Sequence, residues 1–268
     1  MTIVQALVLG VVQGLTEFLP VSSTAHLVIA QNLFKLHESP ILLVFDIVVH
    51  LGTLLSLFVY FGLEYLRWKK GTADQVNRVR TYFSPHIFWF AIVATIPTGV
   101  IGILIKKWME GSFNSLWVTV VTLAINSFIL FSAYWAKALS QKEFSKWTDA
   151  FWIGVAQGIS ILPGISRSGA TVTTALWLRI KPDEATHFSF LIAIPAILGA
   201  AVFVLPEALP HVSGEIWDVM LAGFLTAFVS GYVAIRAVFR VVLRGKFHYF
   251  AYYTFLLAIV TAIFIVKR

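Results

Sequence analysis

Six apolar stretches of the chain are each long enough to cross a lipid bilayer, and this feature constrains the fold most strongly. They cover residues 41–66, 85–106, 115–138, 185–206, 216–243 and 247–266. A helix needs about 20 apolar residues to span the hydrocarbon core. Only 12% of the residues are charged, whereas a soluble domain carries roughly 25%. The sequence therefore predicts an all-α polytopic membrane protein with a single membrane domain over residues 1–268.

Two further apolar segments are interrupted by polar residues, and the two interruptions resemble each other. Residues 13–26 read QGLTEFLPVSSTAH, and residues 157–171 read QGISILPGISRSGAT. A single one-residue gap aligns them. Repeated broken helices in a membrane chain are typical of an inverted repeat with a site at the interface of its halves. We therefore predict repeat halves of about 1–140 and 145–268.

Both interrupted segments are predicted to form re-entrant helix-loop-helix hairpins. Residues 2–33 are broken at 20–23, and residues 148–180 are broken at 163–169. Each break holds several polar residues, which favours a hairpin that enters and leaves on one side. The alternative is one kinked span, because membrane helices tolerate proline. The predicted fold is six transmembrane helices plus two re-entrant hairpins, arranged as an inverted-topology repeat.

The Lys and Arg residues are divided unequally between the two sides of this arrangement. One side collects 14 of the 20, the other side collects five, and Arg167 lies within the second hairpin. Cytoplasmic loops carry an excess of Lys and Arg, so the loops near 67–80 and 137–147 are predicted to be cytoplasmic. Both termini and the entry of the first hairpin would then face outward. This bias and attraction to lipid headgroups account for the net charge of +7, and no nucleic-acid partner is predicted.

The first break carries groups suited to a cation and to an anion. Gln13 and Glu17 are spaced i, i+4, so they share a helix face near the negative end of the helix dipole. An acidic residue there is well placed to hold a cation. Ser22 is a predicted N-cap of the second half-helix, and Ser23 and His26 follow one turn apart. The free N–H groups at the start of that half-helix suit a phosphate.

The second break adds a guanidinium group. Arg167 is the one basic residue that the segment boundaries place at depth in the membrane. A buried Arg needs an anionic partner, which is either Glu17 or a ligand. The planar guanidinium fork matches phosphate oxygens. Hydroxyls and glycine-rich backbone also bind anions, and this break supplies them at Gly164, Ser166, Ser168 and Thr171.

Other polar residues are weaker candidates. Asp46 and His50 are spaced i, i+4 on the first span and are candidates for a supporting role beside the site, although an interfacial position suits His50 equally. Asn126 and His187 show no partner in the sequence, and we interpret them as bundle-packing residues. The chain has no cysteine, which excludes disulfides, thiol catalysis and thiolate metal sites.

Over essentially its whole length the chain resembles the bacterial undecaprenyl-diphosphate phosphatases of the bacitracin-resistance type. Residues 13–26 match the family's Glu/Gln-x-x-x-Glu motif with its serine and histidine. Residues 163–171 match the motif Pro-Gly-x-Ser-Arg-Ser-x-x-Thr. Both motifs, in this order and in an eight-segment membrane chain, are highly specific. Gln13 stands where many members have Glu, and a neutral amide is a weaker metal ligand than a carboxylate.

The resemblance implies hydrolysis of undecaprenyl diphosphate, a polyprenyl diphosphate lipid, to the monophosphate, which recycles the lipid carrier of cell-wall synthesis. It also implies a divalent cation, Mg²⁺ or Ca²⁺, and a site open to the outer face of the bacterial cytoplasmic membrane. A cation near Glu17 would clamp phosphate oxygens, with Gln13 as a weak second ligand. Substrate-binding groups are expected at Ser22, Thr24, Gly164, Ser166, Ser168 and Thr171.

Two mechanisms and two functions stay open at this level. Ser23 is the predicted nucleophile with His26 as its base, while a rival mechanism has His26 activate water directly. Arg167 would stabilise transition-state charge in either case. A transporter or flippase of prenyl phosphate lipids also suits inverted repeats with broken helices. The Ser–His pair beside an acidic group favours the enzyme, and the sequence leaves a homodimer open.

Overall fold

The computed structural model describes residues 1–37, 39–70, 85–108, 115–211 and 216–267. In these ranges the chain folds into ten α-helices with two short 3₁₀ turns, and the described residues form no strand beyond an isolated bridge between Lys142 and Ile180. This confirms the all-α prediction. The helices are α1 (Ile3–Phe18), α2 (Ser23–Leu33), α3 (Pro40–Lys69), α4 (Pro85–Trp108), α5 (Leu116–Leu139), α6 (Trp147–Ile159), α7 (Arg167–Trp177), α8 (Pro182–Ala208), α9 (Trp217–Leu243) and α10 (Phe250–Lys267).

Six of the described helices have the length and apolar composition of membrane spans, as the sequence predicts. They are α3, α4, α5, α8, α9 and α10, the last together with the 3₁₀ turn Phe247–Tyr249 that precedes it. Large apolar side chains such as Phe128, Val202 and Phe203 are about 70% exposed. Apolar surface of this kind is stable against lipid and not against water. The chain is a multi-pass membrane protein.

The remaining four helices form two pairs, and a non-helical break separates the two helices of each pair. The first break covers residues 19–22 between α1 and α2, and the second break covers 160–166 between α6 and α7. The predicted limits of 20–23 and 163–169 are wrong at both ends: the first break lies one residue earlier and the second break lies three residues earlier. Arg167 therefore is the first residue of α7 and does not lie within the break.

Serine caps explain where the second half-helices begin. Ser22 Oγ accepts a hydrogen bond from the N–H of Ala25 at 3.4 Å, and Ser166 Oγ accepts one from the N–H of Gly169 at 3.1 Å. An N-cap hydroxyl satisfies an N–H group that has no partner within the helix. Each helix therefore starts directly after its serine, and Arg167 follows the cap in α7.

Each first half-helix packs closely against a span from the other half of the sequence. α1 lies against α9, and α6 lies against α4. Glycines make the approach possible: a Cβ at Gly14 would collide with the backbone of Ala227, and one at Gly154 with the backbone of Ala94. Small residues let membrane helices pack at short distance. This packing fixes the ends of α1 and α6, and therefore the start of both breaks, inside the bundle.

Candidate active site

The two breaks lie in direct contact, although they are far apart in the sequence. The N–H of Gly164 donates to Ser22 Oγ at 3.1 Å, and Ser166 Oγ donates to the carbonyl of Leu19 at 3.4 Å. Gly164 has φ +108°, and a Cβ there would collide with Thr122. The position therefore needs glycine for both its conformation and its close approach. These contacts bring the polar residues of both breaks to one place.

Glu17 lies at the centre of the candidate site, and both of its carboxylate oxygens have hydrogen-bond or ion-pair partners. Oε1 lies 3.0 Å from Arg167 Nη2, while Oε2 accepts hydrogen bonds from Ser23 Oγ at 2.6 Å and from Gln13 Nε2 at 2.9 Å. His50 Nε2 lies 3.7 Å from Oε2. The Glu17 side chain is only 5% exposed. A buried carboxylate is tolerated when it is paired and hydrogen-bonded in this way.

Arg167 reaches the site from the second half of the chain. Its Nη1 donates to the carbonyl of Ser189 on α8 at 3.4 Å, and its Nη2 binds Glu17. The side chain is 14% exposed, so part of it remains accessible. Of the two partners that the sequence offered for this buried guanidinium, the structure shows Glu17. The same pair can receive an anion, because a guanidinium has five N–H donors and only some of them are used here.

His26 lies at the site, but both of its ring nitrogens are engaged away from Ser23. Nδ1 donates to the carbonyl of Ser22 at 2.7 Å, and Nε2 lies 2.7 Å from Tyr253 Oη on α10. The two rings stack with their centroids 5.7 Å apart. A carbonyl only accepts, so Nδ1 carries the proton and Nε2 of the neutral ring accepts from Tyr253. The hydroxyl of Ser23 donates to Glu17 and not to His26, against the predicted pairing.

Several hydroxyls predicted to bind substrate already have protein partners at the first break. Ser22 Oγ accepts from the N–H groups of Ala25 and Gly164, and it lies 3.2 Å from Thr24 Oγ1. Ser22 has φ 67°, a left-handed conformation that costs a non-glycine residue on the order of 1–3 kcal/mol. The tertiary hydrogen bonds hold it there. In this arrangement Ser22 shapes the break.

The hydroxyls of Ser166 in the second break, of Ser168 and Thr171 in the first turns of α7, and of Ser189 on α8 have a similar role. Ser166 Oγ caps α7 and lies 3.2 Å from Ser168 Oγ. Thr171 Oγ1 donates to the carbonyl of Arg167 at 2.7 Å and lies 2.6 Å from Ser189 Oγ. All four hydroxyl groups are buried. They support the start of α7, and their predicted contacts with substrate stay predictions.

The two weaker candidates on α3 are placed differently. His50 reaches Glu17 through Nε2, and its Nδ1 donates to the carbonyl of Asp46 at 2.6 Å. The Asp46 carboxylate accepts from Gln31 Nε2 on α2 at 2.8 Å. Thus His50 borders the site. Asp46 acts on the site only indirectly, because its backbone carbonyl orients His50.

The sequence analysis did not predict that two further residues, Asn126 and Tyr253, contribute to the site. Asn126 on α5 bonds to the carbonyl of Pro20 and to the N–H of Ser166, so it contacts both breaks and is not merely a packing residue. Tyr253 on α10 bonds to His26. Neither residue belongs to a local motif. A primary amide at depth in an apolar span was the one signal for Asn126, while Tyr253 resembles any interfacial tyrosine.

The site offers few donors for a divalent cation. Among the described residues, no group of three or more His, Asp and Glu side chains forms a metal cage. Glu17 supplies one carboxylate, and the buried Gln13 Oε1 has no hydrogen-bond partner in the described structure. Mg²⁺ is commonly held by one or two carboxylates together with waters and substrate phosphates. Glu17 and Gln13 would supply two oxygen donors to such a site, and waters and substrate phosphates would have to complete the coordination.

The chain is similar over nearly its whole length to proteins of one known family. The family model described as bacitracin resistance protein BacA matches residues 6–260. A Caldicellulosiruptor bescii protein is 41% identical over 274 residues, which cover 100% of this chain and 99% of that protein. An Alkaliphilus metalliredigens protein is 39% identical, covering 98% and 99%, and one from Rubrobacter xylanophilus is 38% identical, covering 97% of each. All three bear the name undecaprenyl-diphosphatase.

Proposed function

The chain belongs to the bacitracin resistance protein BacA family, and we propose that it is an integral membrane phosphatase. It hydrolyses undecaprenyl diphosphate to undecaprenyl phosphate and inorganic phosphate, which recycles the lipid carrier of cell-wall synthesis. The names of its relatives support this substrate. The observation that carries the proposal is the buried Glu17 carboxylate, with the Ser23 hydroxyl on one oxygen and Arg167 on the other.

Ser23 is the nucleophile of the first step. Its Oγ attacks the terminal phosphorus of the diphosphate, the bond from that phosphorus to the bridging oxygen breaks, and undecaprenyl phosphate leaves. The hydroxyl proton passes to Glu17 Oε2, 2.6 Å away. This geometry favours Glu17 over His26 as the acceptor of that proton. Arg167 stabilises the negative charge on the transferred phosphoryl group.

A water molecule completes the cycle. It attacks the phosphoserine, the bond between phosphorus and Oγ breaks, and Ser23 recovers its proton as inorganic phosphate leaves. His26 and His50 border the site and are the candidate bases for this water. The rival mechanism, in which His26 activates water for direct attack, needs His26 Nε2 to exchange Tyr253 for water. His26 would need the same exchange to activate water in the second step of the covalent route. The observation that favours the route through Ser23 is the 2.6 Å hydrogen bond from its hydroxyl to Glu17 Oε2.

A divalent cation, Mg²⁺ or Ca²⁺, is expected to take part. Glu17 and Gln13 Oε1 would hold it, and when bound it would neutralise charge on the diphosphate oxygens. The small number of protein donors favours Mg²⁺, since Ca²⁺ takes 6–8 oxygen ligands as a rule. Gln13 then contributes through an oxygen that is otherwise without a partner.

The fold that we propose for this function is an inverted-topology repeat of halves 1–140 and 145–268, with two re-entrant hairpins. Support comes from the contact between the two breaks and from the reciprocal packing of α1 on α9 and α6 on α4. Gln157, the counterpart of Gln13, also has a buried Oε1 without a partner in the described structure. The corresponding stretch of the second half, QGISILP at 157–163, contains no carboxylate, so the carboxylate occurs once in the two motifs and one site results.

We also propose that the site opens to the outer face of the bacterial cytoplasmic membrane, with both termini outside. The uneven division of Lys and Arg supports this orientation. Arg78 and Arg80 contribute to the count but lie outside the described residues. Within the described part, Arg236, Arg240 and Arg244 follow one another along the end of α9 that is predicted to be cytoplasmic. A diphosphate headgroup would enter from the opposite side while its prenyl chain stays in lipid.

The phosphatase is favoured over a lipid flippase. Transport requires binding groups such as Arg167, but it has no use for a serine hydroxyl hydrogen-bonded to a carboxylate at 2.6 Å. The relatives are also named for hydrolysis and not for transport.

The decisive experiment measures inorganic phosphate released from undecaprenyl diphosphate by the purified protein in detergent. We expect release with Mg²⁺, loss of release with EDTA, and loss of several orders of magnitude in Ser23→Ala. Ser56→Ala is the matched control, because Ser56 is also buried but donates to a carbonyl of its own helix, α3. Absence of release by the unaltered protein would refute the proposed function. Full release by Ser23→Ala would refute the covalent route alone.

A further inference from the structure

Asn126 occupies an unusual position in the middle of α5. Its side chain is fully buried, with 0% exposure. Nδ2 donates to the carbonyl of Pro20 in the first break at 3.3 Å, and Oδ1 accepts from the N–H of Ser166 in the second break at 2.9 Å. A primary amide is a donor and an acceptor at once. The side chain thus bonds to the backbone of both breaks simultaneously.

Both bonds fall beside residues of the proposed reaction. Pro20 lies midway between Glu17 and Ser23, and Ser166 immediately precedes Arg167. The amide therefore fixes the break between Glu17 and Ser23 relative to Ser166, the cap residue that directly precedes Arg167. Displacements of about 1 Å between catalytic groups lower rates by roughly a hundredfold.

We propose that Asn126 is a positioning residue for phosphate release, acting by holding Arg167 in register with Glu17 and Ser23. The assignment rests on the proposed function for its catalytic consequence. The Asn126 side chain touches none of the reacting atoms. Its hydrogen bonds go to two backbone groups, one in each break. No spacing motif marks it, because its partners lie 106 and 40 positions away.

A neighbouring residue shows what is special about this position. Thr122 lies one turn earlier on α5 and donates to the carbonyl of Pro163, as well as to carbonyls of its own helix. It therefore anchors the second break to α5. Asn126 adds the bond to Pro20, so one side chain bridges both breaks, in addition to the direct contacts of Gly164 with Ser22 and of Ser166 with Leu19.

The kinetic test is a double-mutant cycle between Asn126 and Arg167. We expect Asn126→Ala to lower kcat about a hundredfold. In an Arg167→Lys background the same change should cost at most about threefold, because residues that act as a unit are non-additive. Ser127→Ala is the control: Ser127 is also buried on α5 but donates to the carbonyl of Ala251 on α10. It should alter kcat by less than about threefold and add fully to Arg167→Lys.

A second measurement does not depend on activity. Hydrogen exchange of backbone amides in 19–22 and 160–166 should become about tenfold faster in both segments of Asn126→Ala, and unchanged in Ser127→Ala. If Asn126→Ala does not fold, Asn126→Ser replaces it, since serine leaves a smaller cavity than alanine and can satisfy its own hydroxyl on its own helix, while it still releases both breaks. The same changes are expected from it.

Two results overturn the assignment. One is a loss of kcat in Asn126→Ala that adds fully to Arg167→Lys, which indicates a general structural defect. The other is exchange that stays slow in either break, which shows that the amide does not hold them together. Failure of the unaltered protein to release phosphate would instead refute the proposed function, and the exchange experiment would still test the contact between the breaks.

Discussion

Arg167 Nη2 and Glu17 Oε1 form a 3.0 Å ion pair across 150 positions of sequence. The pair joins the start of α7 to the end of α1 and lies largely buried. Each residue needs the other, because an unpaired charge in the membrane interior costs several kcal/mol. The pair also leaves guanidinium N–H groups for an anion. Structure and proposed chemistry thus depend on the same contact.

The first prediction concerns the shape of the cation at position 167. Arg167→Lys keeps the charge but loses the planar fork that can hold Glu17 and a phosphate together. We expect kcat/KM to fall by on the order of a hundredfold, which corresponds to about 3 kcal/mol of transition-state stabilisation. Steady-state phosphate release measures it. An unaltered kcat/KM would show that Arg167 only attracts anions, and Arg179→Lys provides a control away from the site.

The second prediction concerns the cation ligands. Gln13→Glu should lower the Mg²⁺ concentration needed for half-maximal phosphate release, because it adds a carboxylate beside Glu17, while Gln13→Leu should raise it. Gln157→Leu is the matched control, since Gln157 has the same buried unpaired oxygen but no carboxylate beside it. It should leave the Mg²⁺ titration unchanged. Identical titrations for all three variants would exclude Gln13 as a ligand.

The third prediction concerns the hydrogen bond between His26 and Tyr253. Tyr253→Phe keeps the stacked ring and removes the hydroxyl that donates to Nε2. We expect a loss of activity of about tenfold, far smaller than the loss in His26→Ala, because the Ser22 carbonyl still orients the imidazole. Rates of Tyr253→Phe, Tyr252→Phe and His26→Ala in one assay test this order. Equal losses of activity in Tyr253→Phe and His26→Ala would contradict this prediction. They would show that His26 acts only while it is hydrogen-bonded to Tyr253.

The fourth prediction separates backbone strain from hydrogen bonding at Ser22. Both Ser22→Gly and Ser22→Ala lose the hydroxyl that caps α2 and binds Gly164. Only glycine adopts φ 67° without strain. We expect Ser22→Gly to be more stable than Ser22→Ala by about 1 kcal/mol in the free energy of unfolding, measured by denaturant titration in mixed micelles. Equal stabilities would mean that the break relaxes when the hydroxyl is removed.

The sequence was sufficient for the parts of the site that depend on local spacing or on charge in the membrane. Gln13 and Glu17 bond at i, i+4, Ser22 caps α2, and Arg167 finds a buried carboxylate. Each follows from helix geometry or from the cost of a lone charge. His26 shows the limit of spacing: one turn from Ser23, it nevertheless bonds to a nearer carbonyl and to a distant hydroxyl.

The remaining contacts depend on tertiary packing, which periodicity does not encode. His26 and Tyr253 are 227 positions apart, and Asn126 reaches Pro20 across 106. An apolar span tolerates a polar residue for many reasons, so its partner is visible only after the helices are placed. The end of the second break was misplaced for a related reason: Ser166 and Ser168 are both good caps, and only the fold selects Ser166.

The last prediction concerns the orientation that gives the substrate access to the site. The chain has no cysteine, so single cysteines can be introduced without background. Ser145 and His37 are both exposed, and both lie outside the helices, on loops at predicted opposite faces. Because the loop near 137–147 belongs to the Lys- and Arg-rich side, Ser145→Cys should resist a membrane-impermeant maleimide in intact cells and react after permeabilisation. His37→Cys, next to the first hairpin, should react in both. The reverse pattern would place the first break on the cytoplasmic side and require the diphosphate to reach Ser23 from within the cell.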